Sequence, residues 1–182
     1  ITSWDDRSTG AGSIAHDATN LDLDLVPGGT GGTDIGWAEQ AVTTTDTGVE
    51  HVIKFRVKGA PGDRIEFQVG ESSTGTETLT AVTKEVGYHC VSFTPAVSPF
   101  YVQFRNLGSF RNKTLSIDDV SLIDNAAVEI DTPCPEAELF DVNGPQSADV
   151  LYLFHDATHT YKLQRFGHTT WSLVEVPWAD GP

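Results

Sequence analysis

HVIKFRVK at residues 51–58 and RIEFQV at residues 64–69, joined across Gly59-Ala60-Pro61-Gly62, decide the fold. In the first run Ile53, Phe55 and Val57 fall on one parity and Lys54, Arg56 and Lys58 on the other; in the second, Ile65, Phe67 and Val69 alternate with Glu66 and Gln68. A side-chain period of two is the signature of a strand with one greasy and one wet face, and the Gly/Pro run between the two is a turn. The same alternation continues downstream in Thr76 to Thr83, Tyr88 to Thr94, Phe100 to Asn106 and Thr114 to Ile123, and upstream in Ser13 to His16, Leu21 to Val26 and Ile35 to Thr43. Turn formers separate these runs, among them Pro27 to Gly32, Gly70 to Gly75, Glu85 to Gly87, Pro95 to Pro99 and Leu107 to Lys113. No amphipathic helix pattern with caps occurs, so the chain is all-β, and eight or nine short strands at this spacing predict a jelly-roll β-sandwich.

Beyond Ile123 the alternation lapses into DNAAVEIDTPCPEAELFDVNG, which reads as a linker holding a short turn or helix. Three apolar runs follow: Val150 to His155, Thr160 to Phe166 and Thr170 to Val176. Their short separators predict an antiparallel β-meander, an arrangement that also builds propeller blades. It is apolar on both faces and needs a partner surface. The expected organisation is therefore a jelly roll over 1–124, a linker over 125–146, and a meander over 147–182 that belongs to a larger or partner sheet. With Ile1 first, no Met anywhere and no signal-peptide pattern, the sequence reads as a fragment or processed product of a longer polypeptide.

Eleven basic against 26 acidic residues give a net charge of −15, which repels phosphate backbones and argues against nucleic acid as a partner. No apolar run approaches the roughly 20 residues that span a bilayer. Cys90 in a strand and Cys134 between two prolines are expected as two free thiols, with one long-range bridge the alternative.

If the central strands share one sheet, their wet parity gathers Trp37, Glu39, Arg56, Gln68, Tyr101, Gln103 and Arg105 into a field of planar polar groups among aromatic rings. Sugars suit such a face, because their rings stack on Trp or Tyr while amides, carboxylates and guanidinium groups hold the hydroxyls. Protein contact within an assembly and plain solvation are the competing readings. In SIDDVSL the parity flips, since Leu115 and Ile117 oppose Val120 and Leu122, and a bulge at Asp118-Asp119 repairs it. Together with Asp5, and with backbone around Trp4 and Asp6, these aspartates are candidate ligands of a structural Ca2+; the plainer reading has them capping backbone amides. No GxSxG, P-loop, dinucleotide or HExxH motif occurs, and the six histidines show no ligand spacing, so no enzyme is expected.

Residues 1–124, with GWAEQAV at 36–42, the FRV and FQVG strands, YVQFRN at 101–106 and the closing SIDDVSLID, resemble jelly-roll carbohydrate-binding modules. That resemblance implies a calcium-ligating aspartate at Asp118 or Asp119. Residues 129–178, with EIDTPCPEAEL, QSADVLYLFH and YKLQRFGHTTWSL, resemble a segment of tailed-bacteriophage tail proteins of the hub or nozzle kind, with Cys134 where that family has an aromatic. The second resemblance implies a virion component, made in the host cytoplasm, partnered by other tail proteins or copies of itself, and displaying the roll for assembly contacts or host glycans. The alternative is a carbohydrate-binding module of a secreted polysaccharide-active enzyme, which would end near Asp124 and run into a linker.

Overall fold

The computed structural model describes residues 3–17, 22–30, 33–124, 128–156 and 158–178. The expected strand start at Leu21, residues 31 and 32 of the glycine turn, residues 125–127 of the linker and residue 157 of the first meander turn lie outside them. The strands are β1 (Asp5–Asp6), β2 (Ser13–Asp17), β3 (Asp22–Val26), β4 (Ile35–Val42), β5 (His51–Lys58), β6 (Arg64–Gly70) and β7 (Leu79–Glu85). They continue with β8 (Gly87–Phe93), β9 (Phe100–Leu107), β10 (Leu115–Asp124), β11 (Gln146–Ser147), β12 (Val150–His155), β13 (Thr158–Arg165) and β14 (Trp171–Glu175). A single helical turn at Gly108–Arg111 and a 3-10 turn at Glu136–Asp141, inside the expected linker, complete the described elements.

Two antiparallel sheets face each other in a jelly-roll β-sandwich. Sheet A has the order β1-β4-β9-β6-β7, and sheet B the order β11-β12-β13-β14-β8-β5-β10-β3-β2. The greasy parity of each central strand meets its counterpart between the layers, where Ile53, Phe55, Val57, Ile65, Phe67 and Phe104 are buried. Phe55 lies 5.0 Å from Phe67 and 4.9 Å from Phe104 between ring centroids, and Trp4 caps the same group at 5.4 Å from Phe104. Each such side chain taken from water contributes about 1.5–3 kcal/mol, so this cluster alone supplies much of the force that closes the sandwich. The bulge falls where the parity flips: β10 shifts register against β5 between Asp118 and Ser121, with Asp119 at φ 53. Val120 and Leu122 thereby return to the core that Leu115 and Ile117 occupy.

The meander continues the sandwich's own second sheet. β14 pairs with β8 through Trp171↔Cys90, Ser172↔His89, Leu173↔Tyr88 and Val174↔Gly87. Gly87 permits the approach: it has φ +146, and a Cβ there would stand 2.4 Å from the Leu173 carbonyl oxygen.

One boundary moves. The run expected from Thr76 becomes β7 only at Leu79, because Glu77 is spent on the preceding loop, where its carboxylate accepts the Glu71 amide at 3.0 Å and the Ser72 hydroxyl at 3.1 Å. The loop then folds back over sheet A, close enough that a Cβ on Gly70 would meet the Gly75 carbonyl oxygen at 2.3 Å.

Candidate functional site

The wet parity does not form one field. β4, β6 and β9 lie in sheet A whereas β5 and β8 lie in sheet B, so Arg56 is separated from the other six candidates. Its guanidinium sits 4.9 Å over the Tyr88 ring on the outer face of sheet B. Parity fixes the side of a strand on which a residue stands, but membership of a sheet depends on long-range pairing that no local pattern encodes.

The other six share the outer face of sheet A in three registered rows. Trp37, Arg105 and Glu66 make the first, Glu39, Gln103 and Gln68 the second, and Ala41, Tyr101 and Gly70 the third. The second row is closed over. Glu39, Gln68 and Gln103 are buried beneath the 71–78 loop, not open to water as the alternation suggests. The Glu39 carboxylate accepts Arg7 Nε at 3.0 Å, the Ser73 hydroxyl at 2.6 Å and the Thr74 amide. Gln68 Nε2 donates to Gln103 Oε1 at 2.7 Å, and Gln103 Nε2 donates to the Gly75 carbonyl at 2.7 Å. These amides and this carboxylate hold the loop, and their hydrogen bonds are used up in doing so.

The first row stays partly open. Arg105 stacks on Trp37, 4.8 Å from its guanidinium carbon to the ring centroid, and donates to Glu66 Oε2 at 2.8 Å and to Gln68 Oε1 at 3.3 Å. Trp37 Nε1 and Arg105 Nε, both buried, find no hydrogen-bond partner among the described residues. Two donors left wanting make this the part of the face with chemistry to spare, while the half-buried Tyr101 stands two rows away, beyond the covered second row.

The candidate calcium ligands are not brought together. Asp5 pairs opposite Glu39 at the edge of sheet A and lies 3.5 Å from Arg7, while Asp118 and Asp119 stand in sheet B. Both Asp118 oxygens are engaged, one by Lys58 Nζ at 3.2 Å and the other by the Asp119 amide at 2.8 Å. Lys58 also meets Asp22 at 2.8 Å; that hydrogen bond above all, and the one to Asp118, raise the lysine pKa. Lys58 thus holds one oxygen of Asp118, and among the described residues no group of three or more His, Cys, Asp or Glu is placed to hold a metal. Cys90, buried, and Cys134, half-buried, are free thiols.

Sequence reasoning missed Lys84 and His89. Both carry the core parity: Lys84 registers with Ile65 and shares the side of Val82, and His89 shares the side of Val91 and Phe93. Burial pushes the Lys84 amine down to about 8 and the His89 imidazole down to about 3. A charged side chain on the greasy parity was the signal available for Lys84.

No protein-family model and no curated protein matches the sequence. Solved structures do match in fold. The structure named "BiXyn10A CBM1 APO" is 16% identical with a TM-score of 0.54, over 68% of this chain and 90% of that one. "CBM4 structure and function" is 20% identical at 0.42, over 62% and 88%, and "Family 16 Carbohydrate Binding Module-2" is 16% identical at 0.41, over 66% and 90%. The fold is thus that of a jelly-roll carbohydrate-binding module. The expected virion role finds no support in the fold.

Proposed function

We propose that this chain is a non-catalytic carbohydrate-binding module, part of a secreted polysaccharide-active protein, and that it holds a glycan on the open part of sheet A's outer face. The observation that carries the reading is the Trp37–Arg105 stack with its two unpartnered donors, on the sheet face of a roll whose neighbour in fold bears a carbohydrate-binding name. Once the guanidinium moves off the ring, Trp37 offers a stacking platform. Sugar hydroxyl oxygens then supply the acceptors that Trp37 Nε1 and Arg105 Nε lack. A surface at net charge −15 favours neutral polysaccharides over polyanions. Glu39 and Glu66 are tied to Arg7 and Arg105, so we assign no acid–base pair to this face.

Affinity electrophoresis of the full chain against soluble neutral polysaccharides tests this. At least one polysaccharide should retard the natural chain, and Trp37→Ala should weaken that binding about tenfold or more, consistent with the loss of one stacked ring and its hydrogen bond. Absence of retardation across the panel, or full retention by Trp37→Ala, would overturn the proposal.

A further inference from the structure

Sheet A stops at β7 while sheet B runs on through β14 and β13, and the overhang forms a half-open cavity of about 460 Å³. Leu79 and Val82 line it from β7, Val91 from β8, Val174 from β14, and Phe166 from just past β13. That is the size of a site for one small organic molecule. Lys84 also lines it, only 7% exposed. Its Nζ lies 5.2 Å over the Phe166 ring, and among the described residues it makes no hydrogen bond or ion pair.

Several of the polar groups around it are committed to one another. The Glu85 carboxylate takes Lys162 at 3.3 Å, His89 is held by Ser172 at 2.9 Å and by the Glu85 carbonyl at 2.7 Å, and Thr170 Oγ1 by Ser92 at 3.1 Å. Lys84 and Lys162 stand at this cavity with the Glu85 carboxylate, which Lys162 already engages, in a chain whose net charge is −15. Lys84 is largely buried with its ammonium facing the cavity, and apolar walls beside an ammonium that has no acceptor leave one component missing.

We infer that this cavity is a binding site for an organic carboxylate with an apolar, ring-sized body, its oxygens received by Lys84 and its body by Val82, Val91, Val174 and Phe166. The site lies at the far edge of sheet A from Trp37, on the core side of β7, and stands independently of the glycan reading. At pH 6.5 the Lys84 amine is charged, and it is lost as acceptor-seeking cation as pH rises past about 8. The other groups facing it leave that window clear: His89 loses its proton near 3 and Cys90 near 11, both from burial first, and Glu85 and Lys162 pair with each other.

The test is a titration of benzoate into the full chain at pH 6.5, followed by amide shifts and calorimetry. We expect saturable shifts at β7 and β14, affinity at least tenfold weaker in Lys84→Met, near-natural affinity in Lys84→Arg, and at least fivefold weaker binding by the natural chain at pH 9.5. The inference falls if no saturable shift appears at those strands, if Lys84→Met binds as well, if neutral benzyl alcohol binds as tightly as benzoate, or if glucuronate outcompetes it. Should Lys84→Met fail to fold, the pH series and the benzyl alcohol comparison on the natural chain decide.

Discussion

Glu39 and Lys84 are both buried charges of sheet A, three strands apart, and their surroundings are opposite. Glu39 receives the Arg7 guanidinium from the segment after β1, and a hydroxyl and an amide from a loop that folds across the sheet. Lys84 has an aromatic ring, apolar walls and an empty volume. A charge whose partners all come from its own chain is a fastener, and its burial records a completed structure. A charge buried without them is an unfinished interaction, and the finishing group has to come from outside. The difference separates two polar residues that look alike by burial alone.

The sharpest way to break this contrast is to remove the fastener. Glu39→Ala should lower stability by about 3–5 kcal/mol, because the Ser73 hydroxyl and the Thr74 amide each lose a charged acceptor worth about 1.5–3 kcal/mol, read as a shift in urea midpoint. A change under about 1 kcal/mol would mean that the loop does not depend on that carboxylate. Next comes acidification, which tests the cavity side through His89. Its folded pKa is depressed from 6.5 to about 3, so the unfolded chain binds the proton first as pH falls; the stability it contributes is whole above about 6.5 and lost on the way down. At pH 4 the loss from this group amounts to about 3 kcal/mol, and His89→Phe should flatten that part of the pH profile.

A smaller effect is expected at Gln103→Ala, about 1–2 kcal/mol, because Gln68 Nε2 and the Gly75 carbonyl each lose a partner under the loop. Smallest, and opposite in sign, is Lys84→Met, which should gain about 1 kcal/mol at pH 7 by replacing an unpaired buried ammonium with an apolar chain of similar length. The natural lysine, held near 8 against an ordinary 10.5, sheds that penalty as pH rises between those values, so the gain of the variant should fade toward pH 10.5. Differential scanning calorimetry at pH 7 and pH 10 would read both halves of the prediction.

Much of the fold was legible because sandwich strands announce themselves by parity. The cores of β5, β6, β8, β9 and β10 fall where the alternation places them, and the parity break at Asp118-Asp119 marks the bulge. The site was less legible. Arg56 was grouped with Trp37 because both carry wet parity, yet pairing between distant strands put them in different sheets. Gln68, Gln103 and Glu39 looked solvated because a strand pattern does not show a loop that returns to cover them. Asp118 looked like a cation ligand because Lys58, 60 residues earlier, is not adjacent to it in any local window. Each miss is of one kind: the decisive partner came from far along the chain.

The seam between β14 and β8 carries a practical consequence. Cutting the chain after Asp124, where the alternation lapses, would strip the hydrogen-bonded neighbour from Gly87 to Cys90 and leave a bare ribbon of amide and carbonyl groups. Such a ribbon recruits other chains by strand addition. The shortened piece, tidier on paper, should therefore self-associate and precipitate where the whole does not, and the last strands act as a built-in guard against that fate.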